Sequence, residues 1–144
     1  MRRILFLDID GVLHGDADDA PLAQLPRLAR CLQQMPALEV VVSSTWREDM
    51  TLADLCARLG EALAARIVDV TPVHDDGLDA GGRQREILAW LAAQGLHAGN
   101  ARWLALDDWS PFFEPGWPAL LLTDPALGFQ DAQARALLAW YEES

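Results

Sequence analysis

Ile4-Leu5-Phe6-Leu7-Asp8-Ile9-Asp10-Gly11-Val12-Leu13 is an apolar run of strand length that breaks into two carboxylates one residue apart, followed by a glycine. Charge is disfavoured inside a strand, so Asp8 marks its carboxyl end. A continuous apolar run implies that both faces of the strand are covered, as in a parallel sheet flanked by helices. In open α/β sheets, ligands bind at the carboxyl ends of the strands. Two acids at such an end, with Gly11 free to turn sharply, suit a hard cation and a phosphoryl group.

Working outward, apolar runs over 3–8, 38–42, 66–70, 102–106 and 119–122 read as five strands. Helical spacing occupies the intervals. Pro21 suits the first turn of a helix over 21–34, with Leu22, Leu25, Leu28 and Leu32 on one face. Leu52, Leu55 and Leu59 mark a second helix stopping near Gly60, and a short one follows over 61–65. Two longer helices span 83–94 and 131–141. Residues 11–20 and the Pro-, Asp- and Gly-rich 71–82 read as loops. This alternation predicts an α/β fold with a doubly wound parallel sheet, forming one domain over residues 1–144.

Length and composition narrow the function classes. A chain of 144 residues has room for one domain with a real core, and its 51% apolar content argues against disorder. A net charge of −11 opposes extended binding to nucleic acid or anionic membrane, though not to a terminal phosphate. Cys31 and Cys56 lack metal-ligand spacing and read as reduced core residues. No apolar run approaches the roughly 20 residues of a membrane span. The apolar run after Arg2-Arg3 is too short for a signal peptide, so a cytoplasmic location is expected.

Three polar clusters end predicted strands: Asp8/Asp10, Ser43 and Asp107/Asp108. In a parallel sheet these ends open on one edge, where distant residues converge. A carboxylate such as Asp8 can attack phosphorus and divide one hard displacement into two easier ones. Asp10 can protonate the leaving oxygen and then deprotonate water, while its main-chain carbonyl faces a metal. A calcium loop starting at Asp8 is disfavoured, because its fifth and twelfth places hold Val12 and Asp19. Acids this close repel unless a cation intervenes, and Mg²⁺, hard and oxygen-seeking, is the expected one. Asp107 is expected as a direct ligand and Asp108 as a supporting or water-mediated one.

Phosphoryl oxygens need donors. Ser43 is the first choice at the second strand's end, with Ser44 as its competitor. Arg83 and Arg85 both lie at a helix start, where anions are favoured. Helix phase brings Arg83 nearer the face of Ile87, Leu88, Trp90 and Leu91, so Arg83 is preferred as the phosphate-binding cation. Arg47 is a further candidate, but it reads more readily as an exposed helix-start residue. His14 is placed to touch substrate, whereas His74 and His97 read as surface residues. Of six tryptophans, Trp90, Trp103 and Trp140 read as core, and Trp46, Trp109 and Trp117 as candidates for lining a groove.

Asp8-Ile9-Asp10-Gly11-Val12-Leu13 resembles the first motif of the haloacid dehalogenase (HAD) superfamily in its phosphatase form. Ser43 resembles the second motif, Arg83 with Glu86-Ile87 and Trp90-Leu91 the third, and Leu106-Asp107-Asp108 the fourth. Ser43-Ser44-Thr45-Trp46-Arg47, Leu122-Thr123-Asp124 and Gly128 resemble a small bacterial HAD-like group also found within RNA-repair proteins. The resemblance implies a HAD-like Rossmannoid with sheet order 5-4-1-2-3. It also implies a phospho-Asp8 intermediate and a metal site drawn from Asp8, Asp10, Asp107 and Asp108. Its third motif carries Arg where Lys is more usual.

Family members acting on small metabolites often carry a cap domain, for which 14–37 and 48–82 have no room. An open site favours a bulky phosphorylated substrate, such as a polynucleotide end or a protein over a metabolite, or a partner or oligomer that serves as lid. The leading expectation is therefore a Mg²⁺-dependent phosphomonoesterase. A halide-releasing hydrolase is disfavoured by Asp10, since halide departure needs no acid. A catalytically weak metal-binding regulatory or interaction module of the same fold is the alternative.

Overall fold

The computed structural model describes residues 1–143. Strands β1 (Arg2–Leu7), β2 (Leu38–Val42), β3 (Ile67–Val70), β4 (Ala101–Asp107) and β5 (Leu120–Leu122) are all parallel and ordered β3-β2-β1-β4-β5. This is the expected HAD-like order read from the other edge. Helices α1 (Leu25–Leu32), α2 (Trp46–Asp49), α3 (Leu52–Leu59), α4 (Glu61–Ala64), α5 (Gly82–Ala93) and α6 (Asp131–Glu142) cover the sheet, and no cap domain is inserted among the described residues.

Strand alternation builds two core layers. Leu5, Leu7, Val40, Val42, Leu104 and Leu106 face α1, α3 and α6, whereas Ile4, Phe6, Val41 and Ala105 pack on Ile87, Trp90 and Leu91 of α5. Continuing that period to the strand ends and one residue past β1 and β2 gives Asp8, Ser43 and Asp107 the α5 parity. The sequence of the strands thus aims the polar clusters at the start of α5.

The first helix begins later than its leucine spacing predicts. Leu25 opens it with Pro26 in the first turn, whereas a helix begun at Pro21 would hold Pro26 in its interior, lacking an N–H donor. Leu22 stays buried but lies outside the helix, at φ +58°. Trp117 also departs from expectation. It stacks on Phe113 at 5.4 Å against the α5-side core, not beside the acids. Among the described residues, no helix is long and apolar enough to cross a membrane.

Candidate active site

Five residues line the carboxyl edge of the sheet: Asp8, Ser43, Thr71, Asp107 and Thr123. The ladder continues through them. Asp8 N–H donates to the Leu106 carbonyl, Ser43 to Leu7, Thr71 to Val42 and Thr123 to Asp107, at 2.9–3.0 Å. All five are buried, so the edge is a buried polar shelf rather than a set of loop tips.

Asp8, Asp107 and Asp108 each offer an oxygen within 4.8 Å of the others. Burial pushes the Asp8 carboxyl well above its ordinary value of 3.8, Asp107 adds to the rise, and Arg83 only partly opposes it. Burial also pushes Asp107 up, against the nearby guanidinium. Crowded, buried, hard oxygens with surplus negative charge fit a hard divalent cation.

The two aspartates of the β4 end differ in their engagement. Asp107 Oδ1 accepts from the N–H groups of Asp108 and Trp109 at 2.8 and 3.0 Å, and Oδ2 accepts from Arg83 Nη1 at 2.9 Å. Among the described residues, no N–H donates to the Asp108 carboxylate, which lies over Gly11. Gly11 itself turns at φ +76°, and its carbonyl accepts from the Thr123 hydroxyl at 2.6 Å.

Arg83 is buried at the start of α5. Its Nη1 reaches Asp8 Oδ1 at 3.2 Å as well as Asp107, and its Cζ lies 4.6 Å from the Phe112 ring centroid. Burial works against its charge, but Asp107 and Asp8 outweigh that and raise its pKa. Arg85 points away and pairs with exposed Asp76 at 2.9 Å. Of the two serines, Ser44 Oγ accepts from the Trp46 N–H at 3.2 Å, whereas the Ser43 hydroxyl makes no bond with the described residues.

An open cavity of about 350 Å³ is lined by Asp8, Asp10, Thr45, Arg83, Asp108 and Trp109, with Leu78 and Phe112 at its apolar side. Asp10 reaches the cavity but its carboxyl stands apart from the three-acid cluster. Its oxygens accept from His14 and Trp46. His14 thus meets an acid of the pair.

Arg47 corrects the expectation of an exposed residue. It is 8% exposed and donates to the carbonyls of Ser43, Ser44, Thr71 and Pro72 at 2.9–3.0 Å. Its Nη2 also pairs with buried Glu86 at 2.9 Å, and burial outweighs that pairing to lower its pKa. Glu86 Oε2 accepts from the His74 N–H at 2.8 Å, so 71–82 is anchored to the shelf. The helix phase that singles out Arg83 also places Glu86 inward. The local sequence does not mark the burial of Arg47, because its partners are carbonyls of two separate loops.

Residues 4–134 match the model of a family described as the HAD domain in Swiss Army Knife RNA repair proteins. The chain belongs to this family. Neither the curated proteins nor the solved structures gave a match. In this HAD domain Asp8 follows β1, Ser43 follows β2 and Asp107 ends β4, three neighbouring strands of the sheet, and Arg83 lies in the first turn of α5.

Proposed function

We propose that this HAD domain is a magnesium-dependent phosphomonoesterase that works through a phospho-aspartate on Asp8. The observation that carries the reading is the convergence of Asp8, Asp107, Asp108 and Arg83, of which Asp8, Asp108 and Arg83 line a cavity together with Asp10. Asp8, the main-chain carbonyl of Asp10, Asp107 and Asp108 would hold Mg²⁺. The ion supplies the positive charge that keeps buried Asp8 ionised and offsets charge on phosphoryl oxygens. Asp108 would offer the ion the less engaged carboxylate, because Asp107 already accepts from three N–H donors.

A carboxylate oxygen of Asp8 attacks phosphorus as the bond to the leaving oxygen breaks, and Asp10 gives that oxygen its proton. Water then attacks the phosphorus of phospho-Asp8. Asp10 takes the water's proton, the P–O bond to Asp8 breaks, and inorganic phosphate leaves. Arg83 binds the phosphoryl group beside Asp8, and the Ser43 hydroxyl donates to it. Ser44 shapes the turn through Trp46.

The substrate is a bulky phosphomonoester, with a polynucleotide terminal phosphate as the first class to test. The open cavity, the exposed Trp109 and the RNA-repair description of the family support that choice. Release of phosphate from an aryl phosphate and from end-phosphorylated oligonucleotides, with Mg²⁺ and with chelator, tests the reading. Mg²⁺-dependent release that Asp8→Asn abolishes is expected. Chelator-insensitive release, or full activity in Asp8→Asn, would contradict it.

A further inference from the structure

Asp10 is the exposed member of the acid pair, with 61% of its side chain accessible, so packing alone does not orient its carboxyl. Hydrogen bonds do. Oδ1 lies 2.9 Å from His14 Nε2, and Oδ2 accepts from Trp46 Nε1 at 3.1 Å. The other side of the imidazole fixes the direction of the first bond. The Leu22 N–H donates to His14 Nδ1 at 3.0 Å. A ring nitrogen that accepts carries no proton, so the neutral ring keeps its proton on Nε2, aimed at Asp10.

Leu22 is an independent sign. Among the described residues it alone has positive φ without being glycine, and its side chain is buried. Such a conformation persists where the surroundings over-determine it, and it clusters at functional sites. Here it directs an amide at the imidazole. An isolated parallel bridge between Asp10 and His14 brings their backbones together.

The geometry points to His14 and Trp46 as positioning residues that hold the Asp10 carboxyl for proton transfer to and from the reacting oxygens. This inference rests on the phosphohydrolase reading. Both donors are neutral N–H groups, and a carboxyl keeps acceptor capacity on each oxygen whether or not it carries a proton. The clamp therefore serves Asp10 as acid in the first half-reaction and as base in the second.

The test compares two esters in the presence of Mg²⁺. An alkyl phosphate needs a proton on its departing oxygen, whereas dinitrophenyl phosphate leaves as a stable phenolate. General-acid help therefore matters far more for the first. His14→Ala and Trp46→Phe are expected to shift the ratio of kcat/KM values at least about tenfold against the alkyl ester. His14→Gln, which retains an N–H near the Nε2 position, should recover part of the shift. In an Asp10→Asn background, His14→Ala should shift the ratio no further. The dinitrophenyl ester also reports whether each variant is folded. An unshifted ratio in both His14→Ala and Trp46→Phe overturns the clamp. Tautomer-resolved NMR of the ring nitrogens reads it without turnover: a wild-type His14 protonated on Nδ1 would also overturn it. Wild-type protein that hydrolyses neither ester contradicts the phosphohydrolase reading instead.

Discussion

The Asp108 carboxylate occupies the space that a β-carbon on Gly11 would need. Gly11 also turns at φ +76°, a conformation strained for any L side chain. Gly11→Ala should therefore displace Asp108 and weaken the metal site while leaving the two core layers in place. Titration calorimetry with Mg²⁺ checks this, with circular dichroism as the folding control. Unchanged Mg²⁺ binding in Gly11→Ala would show that Asp108 is not a ligand.

Arg47 and Glu86 form a buried pair that ties the Ser43–Ser44 turn to 71–74. Removing one partner of such a pair leaves an uncompensated charge and costs about 3–5 kcal/mol. Glu86→Ala should show a loss of that size in denaturant unfolding, and Arg47→Ala a loss at least as large, because it also strands four carbonyls. A loss below about 1 kcal/mol, the range of an exposed pair, would mean that the pair is solvated.

Stability should depend on pH and metal together. Asp8 and Asp107 carry raised pKa values in the fold, so the folded protein binds protons more tightly than the unfolded chain there. Their contribution is fully present below the ordinary carboxylate value of 3.8. It is lost as pH rises through the higher folded values. Metal-free protein should lose stability over that range, and Mg²⁺ should restore more of it at the alkaline end. Asp8→Asn should flatten the slope and reduce the Mg²⁺ effect. Denaturation midpoints across a pH series, with Mg²⁺ and with chelator, give the comparison.

The legible part of this protein is what strand and helix periods dictate. Asp8, Ser43 and Asp107 each end an apolar run, and period-2 alternation carries all three to the α5 parity. Helix phase separates Arg83, which meets Asp8, from Arg85, which meets Asp76. Relationships set by packing between distant segments carry no such signal. Arg47 is buried because carbonyls from two loops surround it, and local sequence reads it as an exposed helix start. The turn that gives Leu22 its positive φ is likewise hidden behind a leucine that fits the helical pattern. His14 and Trp46 meet at Asp10 from opposite sides of α1 and β2 in sequence, so neither marks the other.

Capture of the covalent intermediate tests the central claim most directly. Protein mixed briefly with a phosphomonoester and Mg²⁺, then quenched and treated with borohydride, converts an aspartyl phosphate to homoserine at the reacting residue. Peptide mass spectrometry should find homoserine at position 8, dependent on both substrate and Mg²⁺. Turnover with Asp8 unmodified, or homoserine at Asp10, Asp107 or Asp108 instead, would contradict the account.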